Sequence, residues 1–266
     1  MGPVAQKPEE KLLRGLTTLG PGERWLIQPK ELDETGRLWS PGVREGVKPG
    51  SEYHMTEYFG PILGIMTADT LEEAIELQNA PDYGLTAGLH SLDADDLELW
   101  LSKVQAGNVY VNRGITGAIV RRQPFGGWKK STVGSGTKAG GPNYLVALTD
   151  WEPDHATATT VPQSVAVREV LATAEGASLC GAKDFEFIKR SASSDAHAWE
   201  TEFGYGHDPS KLGVERNILR YLPTQVLVRA DESAPAAEVV RVVLAGLAAG
   251  APIALSTARD LPVAVR

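Results

Sequence analysis

From Tyr58 to Asn112 the chain alternates short apolar runs with stripes of helical period, and this alternation constrains its fold more than any other feature. Ile62-Leu63-Gly64-Ile65-Met66 is a compact apolar run of the kind a buried strand shows. Thr70 is placed to cap the helix that follows. Glu72 and Glu73 fall in its first turn, where carboxylates suit the positive end of the helix dipole. Leu71, Ala74, Ile75 and Gln78 share one face of that helix, and Thr86-Ala87-Gly88-Leu89-His90 reads as the next strand. Asp93 opens a second helix with the apolar stripe Leu97, Trp100, Leu101 and Val104. Gly107 is expected to stop it, as glycine does past a helix C-terminus, and Asn108-Val109-Tyr110-Val111-Asn112 follows as a strand. Strand, helix, strand, helix, strand at these lengths implies α/β units around a largely parallel sheet.

The texture changes near Trp151. Residues 152–164 carry two prolines, several threonines and few large apolar side chains, which suits a linker. Beyond it the pattern predicts a helix over Ser164–Ala174, a strand at Phe185-Glu186-Phe187-Ile188 and mostly loop over 191–213. Gln225–Arg229 alternates as a strand does. Ala236–Ala249 is an amphipathic helix on Val239, Val240, Val243, Leu244 and Leu247, and Pro252–Ser256 is a strand after it. A further strand is expected to begin at Leu261–Arg266. The domains expected are therefore 1–151 and 165–266, with 152–164 between them.

A hydrophobic content of 42% over 266 residues is that of an ordinary globular protein. The net charge of −8 disfavours a nucleic-acid partner, because phosphate binding needs clustered cations. Arg121-Arg122 and Lys129-Lys130 are short clusters that suit solvated faces or local charge partners. The most apolar window, Val239–Leu255, is broken by Arg241, Gly250 and Pro252 and is too short for a membrane span. The N-terminal residues lack the apolar core of a signal peptide. The one cysteine, Cys180, excludes an intrachain disulfide, and the five histidines lack metal-ligand spacing. A soluble, cytoplasmic protein with no metal is expected.

Two motifs carry chemistry. Glu57-Tyr58-Phe59-Gly60-Pro61 offers a carboxylate, able to accept two hydrogen bonds from a vicinal diol, beside an aromatic ring able to form a flat apolar wall. By itself it fits equally a charged residue beside a turn. Downstream, Ile115-Thr116-Gly117-Ala118-Ile119-Val120 precedes Gln123-Pro124-Phe125-Gly126-Gly127-Trp128-Lys129-Lys130, and Lys138-Ala139-Gly140-Gly141-Pro142-Asn143-Tyr144-Leu145 follows. Backbone N–H groups of a Gly-Ala pair can hold a carboxylate without bulk in the way. The plainer alternative makes these glycines turns and Phe125 a core residue.

Taken together and in this order, the motifs resemble the C-terminal half of the catalytic domain of an aldehyde dehydrogenase, in the branch that oxidises L-glutamate γ-semialdehyde in proline catabolism. The resemblance covers residues 1 to about 151. It implies that Glu57 hydrogen-bonds the nicotinamide ribose of NAD, that Phe59 packs on the nicotinamide, that Gly117 and Ala118 bind the substrate α-carboxylate, and that Phe125 lines the aliphatic part of the substrate. It also implies that the family's nucleophilic cysteine and general-base glutamate lie ahead of residue 1, so that the chain is a fragment, inactive alone, with no catalytic residue of its own. The stretch Ser131–Thr137 is slightly longer than in many relatives.

The rest of the chain is similar, more weakly, to the C-terminal domain of bifunctional proline utilization proteins, through Asp195-Ala196-His197-Ala198-Trp199 and Glu215–Tyr221. The fold class implied is α/β: half of an aldehyde dehydrogenase catalytic domain followed by a degenerate dehydrogenase-like α/β domain, truncated at both ends. The complete enzyme is expected to be a homo-oligomer acting on a small-molecule substrate. The alternative is a non-catalytic oligomerisation or lid module derived from that enzyme. Cys180, among small apolar residues and after the Glu57–Pro61 motif, is expected to be a packing residue rather than a nucleophile. Gly134-Ser135-Gly136 and Gly204-Tyr205-Gly206 lack the setting of a nucleotide loop.

Overall fold

The computed structural model describes residues 2–134, 136–152 and 161–258. Two compact units, Met1–Leu148 and Thr149–Arg266, divide the chain. In the first, the order is α1 (Glu10–Thr17), β1 (Arg24–Ile27), β2 (Gly42–Glu45), α2 (Glu52–Met55), β3 (Ile62–Ile65), α3 (Leu71–Asn79), β4 (Tyr83–Gly84), β5 (Thr86–Leu89), α4 (Ala94–Lys103), β6 (Asn108–Val111) and β7 (Trp128–Lys129). In the second it is α5 (Val165–Gly176), α6 (Ala182–Ala198), β8 (Val226–Ala230), α7 (Ala236–Ala248) and β9 (Ile253–Thr257).

Local chemistry sets the helix starts. Thr70 Oγ1 accepts from Glu73 N at 3.1 Å while Glu73 Oε2 accepts from Asp69 N at 2.7 Å, so the first turn of α3 is capped from both directions. Asp93 Oδ1 accepts from Asp95 N at 2.8 Å, and Ser164 Oγ accepts from Val167 N at 3.3 Å. α3 and α4 close over β5 and β6 through Ile75, Ala87, Trp100, Val104 and Ala106. Trp100 is 2% exposed and its indole N–H reaches Gln78 Oε1 at 2.7 Å, which satisfies the one polar group this core ring carries.

The parallel pairings expected of α/β units are present, but the sheet is divided. β2–β3, β5–β6 and β8–β9 are parallel; β1–β2 and β4–β7 are antiparallel. Among the described residues these form four small sheets, with β3 bonded to β2 rather than to β5. Gly107 does not end α4, which stops at Lys103 with Val104 N bonded to Trp100 O. Gly107 serves a close backbone crossing: a Cβ there would lie 1.9 Å from Gly126 O.

The second unit corrects two expectations. Phe185–Ile188 is not a strand but part of α6, because Phe185, Ile188 and Ala192 recur at helical spacing and enter the core formed with α5 and α7. Residues 191–203, expected as loop, continue α6 to Ala198 and then one wide π-type turn, Trp199–Phe203. β8, α7 and β9 form a parallel crossover unit whose buried helix face is Ala237, Val240 and Leu244. Residues 153–160 of the expected linker, the strand at 261–266, Ser135 and His155 lie outside the described residues.

Candidate functional site

The Glu57–Pro61 motif is shaped by its middle residue. Tyr58 turns inward and stacks on Tyr53, with ring centroids 4.8 Å apart and planes 17° apart. Its hydroxyl donates to Glu52 Oε1 at 3.2 Å, and that carboxylate pairs with Arg14 at 2.7 Å. Burial first, then the Glu52 charge, push the Tyr58 hydroxyl up from its ordinary range. Gly15 makes room for the ring, since a Cβ there would lie 2.5 Å from it. Gly60 N donates to Tyr58 O at 2.8 Å, a tight turn about Phe59. With Tyr58 inside, Glu57 and Phe59 are left outside, and Phe59 is 85% exposed. An exposed carboxylate beside an exposed ring fits a ribose diol next to a flat aromatic base.

Beneath this turn lies a buried cation that the sequence pattern does not disclose. Arg44, 2% exposed, sits between the Trp25 ring at 4.6 Å and the Tyr53 ring at 4.0 Å. It donates to Glu23 Oε2 at 2.7 Å, where the Glu23 side chain is 3% exposed, and also to Gly15 O. Burial is the first cause pushing the Tyr53 hydroxyl up to about 12. Arg44, Tyr53 and Tyr58 thus form one column that ends at the motif.

The second group is held by one face of β6. Tyr110 and Asn108, two residues apart and both buried, point the same way, as alternate residues of a strand do. Tyr110 Oη donates to Gly117 O at 2.6 Å. Asn108 Nδ2 donates to Pro124 O at 3.0 Å and its Oδ1 accepts from Gly126 N at 3.1 Å. Gly117 has φ +118°, a conformation open to glycine. Among the described residues, neither Gly117 N nor Ala118 N donates to a protein acceptor. Ile119 and Gln123 close the turn with bonds of 3.2 and 2.7 Å. Phe125 is 38% exposed, with its backbone paired to Ala139.

The structure therefore brings Gly117, Ala118 and Phe125 into one loop cluster and places Glu57 and Phe59 on another turn of the same unit. No hydrogen bond or ion pair among the described residues joins the two groups. The lysines of the loop have local partners. Lys129 donates to Pro81 O at 3.1 Å and to Asn79 O at the C-terminal end of α3, where a cation suits the helix dipole. Lys130 pairs with Asp82 at 2.5 Å. Cys180 lies between α5 and α6, packed against the second unit's core, and burial followed by the Asp184 charge pushes its thiol up. A raised thiol is a poor nucleophile. Among the described residues no three His, Cys, Asp or Glu side chains are grouped to hold a metal, and no helix is long and apolar enough to cross a membrane.

Residues 1–152 match the aldehyde dehydrogenase family. The 1-pyrroline-5-carboxylate dehydrogenase of Staphylococcus haemolyticus (strain JCSC1435) is 35% identical over 147 residues, covering 55% of this chain and 28% of that one. The protein of the same name from Geobacillus kaustophilus (strain HTA426) is 37% identical over 147 residues, with the same coverage of 55% and 28%. The solved structure of Proline Utilization A (PutA) from Corynebacterium freiburgense matches 97% of this chain and 25% of its own, at 46% identity and a TM-score of 0.83. The chain thus spans about a quarter of the length of these relatives, and its similarity to the PutA structure extends through the second unit.

Proposed function

We propose that this chain, which belongs to the aldehyde dehydrogenase family, supplies the cofactor grip and the substrate anchor of an NAD-dependent L-glutamate γ-semialdehyde dehydrogenase of proline catabolism. The observation that carries the substrate choice is the Gly117–Ala118 turn. It offers two backbone N–H groups that have no protein acceptor among the described residues, on a glycine at φ +118° whose carbonyl Tyr110 holds at 2.6 Å. A carboxylate distant from the reacting aldehyde can dock there while its aliphatic stem lies along Phe125. The named relatives act on 1-pyrroline-5-carboxylate, the cyclic imine that opens in water to glutamate γ-semialdehyde.

In this reading the aldehyde carbon loses a hydride and gains the oxygen of water to become a carboxylate, and two protons are released. NAD, when bound, accepts the hydride. Glu57 accepts hydrogen bonds from the ribose hydroxyls, and Phe59 presents its ring to the nicotinamide face. Gly117 and Ala118 hold the α-carboxylate so that the aldehyde end is directed away from the loop. No residue of this chain is assigned the covalent step.

The test is a graft. Residues 1–152 replace the stretch they match in the Staphylococcus haemolyticus dehydrogenase, and oxidation of glutamate semialdehyde is compared with that of propanal. The graft is expected to oxidise both. Ala118→Pro, which removes one N–H, is expected to lower kcat/KM for glutamate semialdehyde at least about tenfold, or roughly 1.4 kcal/mol, while propanal changes much less. A graft without turnover, or equal losses on the two aldehydes, refutes the assignment and leaves the non-catalytic module as the better account.

A further inference from the structure

One side chain joins the two parts of the loop signature, Gln123–Lys130 and Lys138–Leu145, and no role described so far uses it. Lys138 Nζ donates to Gly107 O at 2.5 Å and to Gly126 O at 2.7 Å. Its neighbours complete the tie. Phe125 and Ala139 exchange backbone bonds of 3.0 and 2.8 Å, and Arg121 N donates to Gly140 O at 2.8 Å. The glycines make this crossing possible. A Cβ at Gly107 would lie 1.9 Å from Gly126 O, and one at Gly126 would lie 2.9 Å from Lys138 Cγ. Backbone meets backbone there, and the ammonium end of Lys138 reaches the two carbonyls at the crossing.

This arrangement is costly. Burial pushes the Lys138 ammonium down to about 8, and the partners that hold it are neutral carbonyls. An apolar side chain of equal length would bury without that cost, so what the lysine contributes is geometry: it fixes the distance from Gly126 to Gly107. The same loop is gripped from β6 by Asn108, and two residues along that strand Tyr110 grips Gly117. The Phe125–Gly127 turn and the Gly117–Ala118 turn therefore share one frame, with Lys138 as its third tether.

We propose that Lys138 is a positioning residue, which holds the Phe125–Gly127 turn against the start of β6 and so sets Phe125 and the Gly117–Ala118 turn for a carboxylate-bearing aldehyde. The substrate in this statement rests on the function proposed above; the tether does not. Native-state hydrogen exchange on the 266-residue chain tests the tether with Lys138→Met. Protection of the Phe125, Ala139 and Gly126 amides should fall at least tenfold, while that of the α4 amides changes less than twofold. Uniform loss in both places, or no loss, overturns the proposal. In the grafted dehydrogenase, Lys138→Met should raise KM for glutamate semialdehyde at least tenfold, keep kcat within about threefold and leave the KM for propanal unchanged. If Ala118→Pro is selective for the carboxylate substrate there and Lys138→Met is not, the positioning role fails and the substrate reading stands. If neither variant is selective, both fail.

Discussion

Arg44→Met should unfold the first unit far more readily than a conservative change in a strand would, and the structure sets the size of the effect. The substitution leaves the Glu23 carboxylate, 3% exposed, with Gly20 N at 2.8 Å as a remaining donor. Removing one partner of a buried ion pair costs about 3–5 kcal/mol. The stacking of the guanidinium on Trp25 and Tyr53 contributes about 0.5–2 kcal/mol per ring. These terms belong to one network and do not add, so a total of about 4 kcal/mol is expected. In a unit of this size that corresponds to a fall of roughly 8–16 °C in Tm. A thermal melt followed by tryptophan emission reports it, because Trp25 lies against the lost group. Adding Glu23→Leu to Arg44→Met should recover more than half of the loss, since a buried pair replaced on both sides by apolar groups is nearly neutral. A double variant as unstable as the sum of its single variants would show the two residues to be uncoupled and rule out the buried pair as the source of the effect.

Glu57→Gln should leave Tm unchanged, as the side chain is exposed, yet slow hydride transfer in the grafted enzyme by about 1–3 kcal/mol in stopped-flow NADH formation. Phe59→Ala should likewise shift stability by less than about 0.5 kcal/mol in urea titrations, its ring being 85% exposed. Because the folded Lys138 binds its proton less tightly than the unfolded one, with a pKa near 8 against 10.5, stability gained from its deprotonation is absent below pH 8 and appears as pH rises toward 10.5. Denaturation of the first unit between pH 8 and 9.5, below the Tyr53 titration near 12, should show this rise, and Lys138→Met should abolish it. Gly107→Ala should cost about 1–3 kcal/mol in the same titrations, since its Cβ would meet Gly126 O at 1.9 Å.

What the sequence showed was what local interactions determine. The caps at Thr70 and Asp93 and the stripe through Trp100 are contained within single elements, and α3, β5, α4 and β6 formed where the pattern placed them. Features that depend on contacts distant in the chain were not legible. Arg44 stands in a strand beside Glu45 and reads as a solvent-facing charge, whereas Glu23, Trp25 and Tyr53 enclose it. Phe185-Glu186-Phe187-Ile188 alternates over four residues and so imitates a strand; only Ala192, four residues beyond Ile188 and past the polar run Lys189-Arg190-Ser191, discloses the helical stripe. The motif names Glu57 and Phe59 as candidates, and the structure leaves both exposed. The inward turn of Tyr58 that exposes them was not legible, because it depends on Gly15, forty-odd residues earlier, to leave room for the ring. Lys138 likewise reads as one lysine of a glycine-rich run until Gly107 and Gly126 are seen on either side of its ammonium.

If the Gly117–Ala118 turn receives a carboxylate, a crystal structure of the grafted dehydrogenase with L-glutamate, the product of the proposed reaction, will show it. The α-carboxylate oxygens are expected within about 2.7–3.2 Å of Gly117 N and Ala118 N, with the aliphatic stem along Phe125. Glutamate bound in the reverse sense, or with its α-carboxylate held elsewhere while both N–H groups face solvent, would contradict that placement.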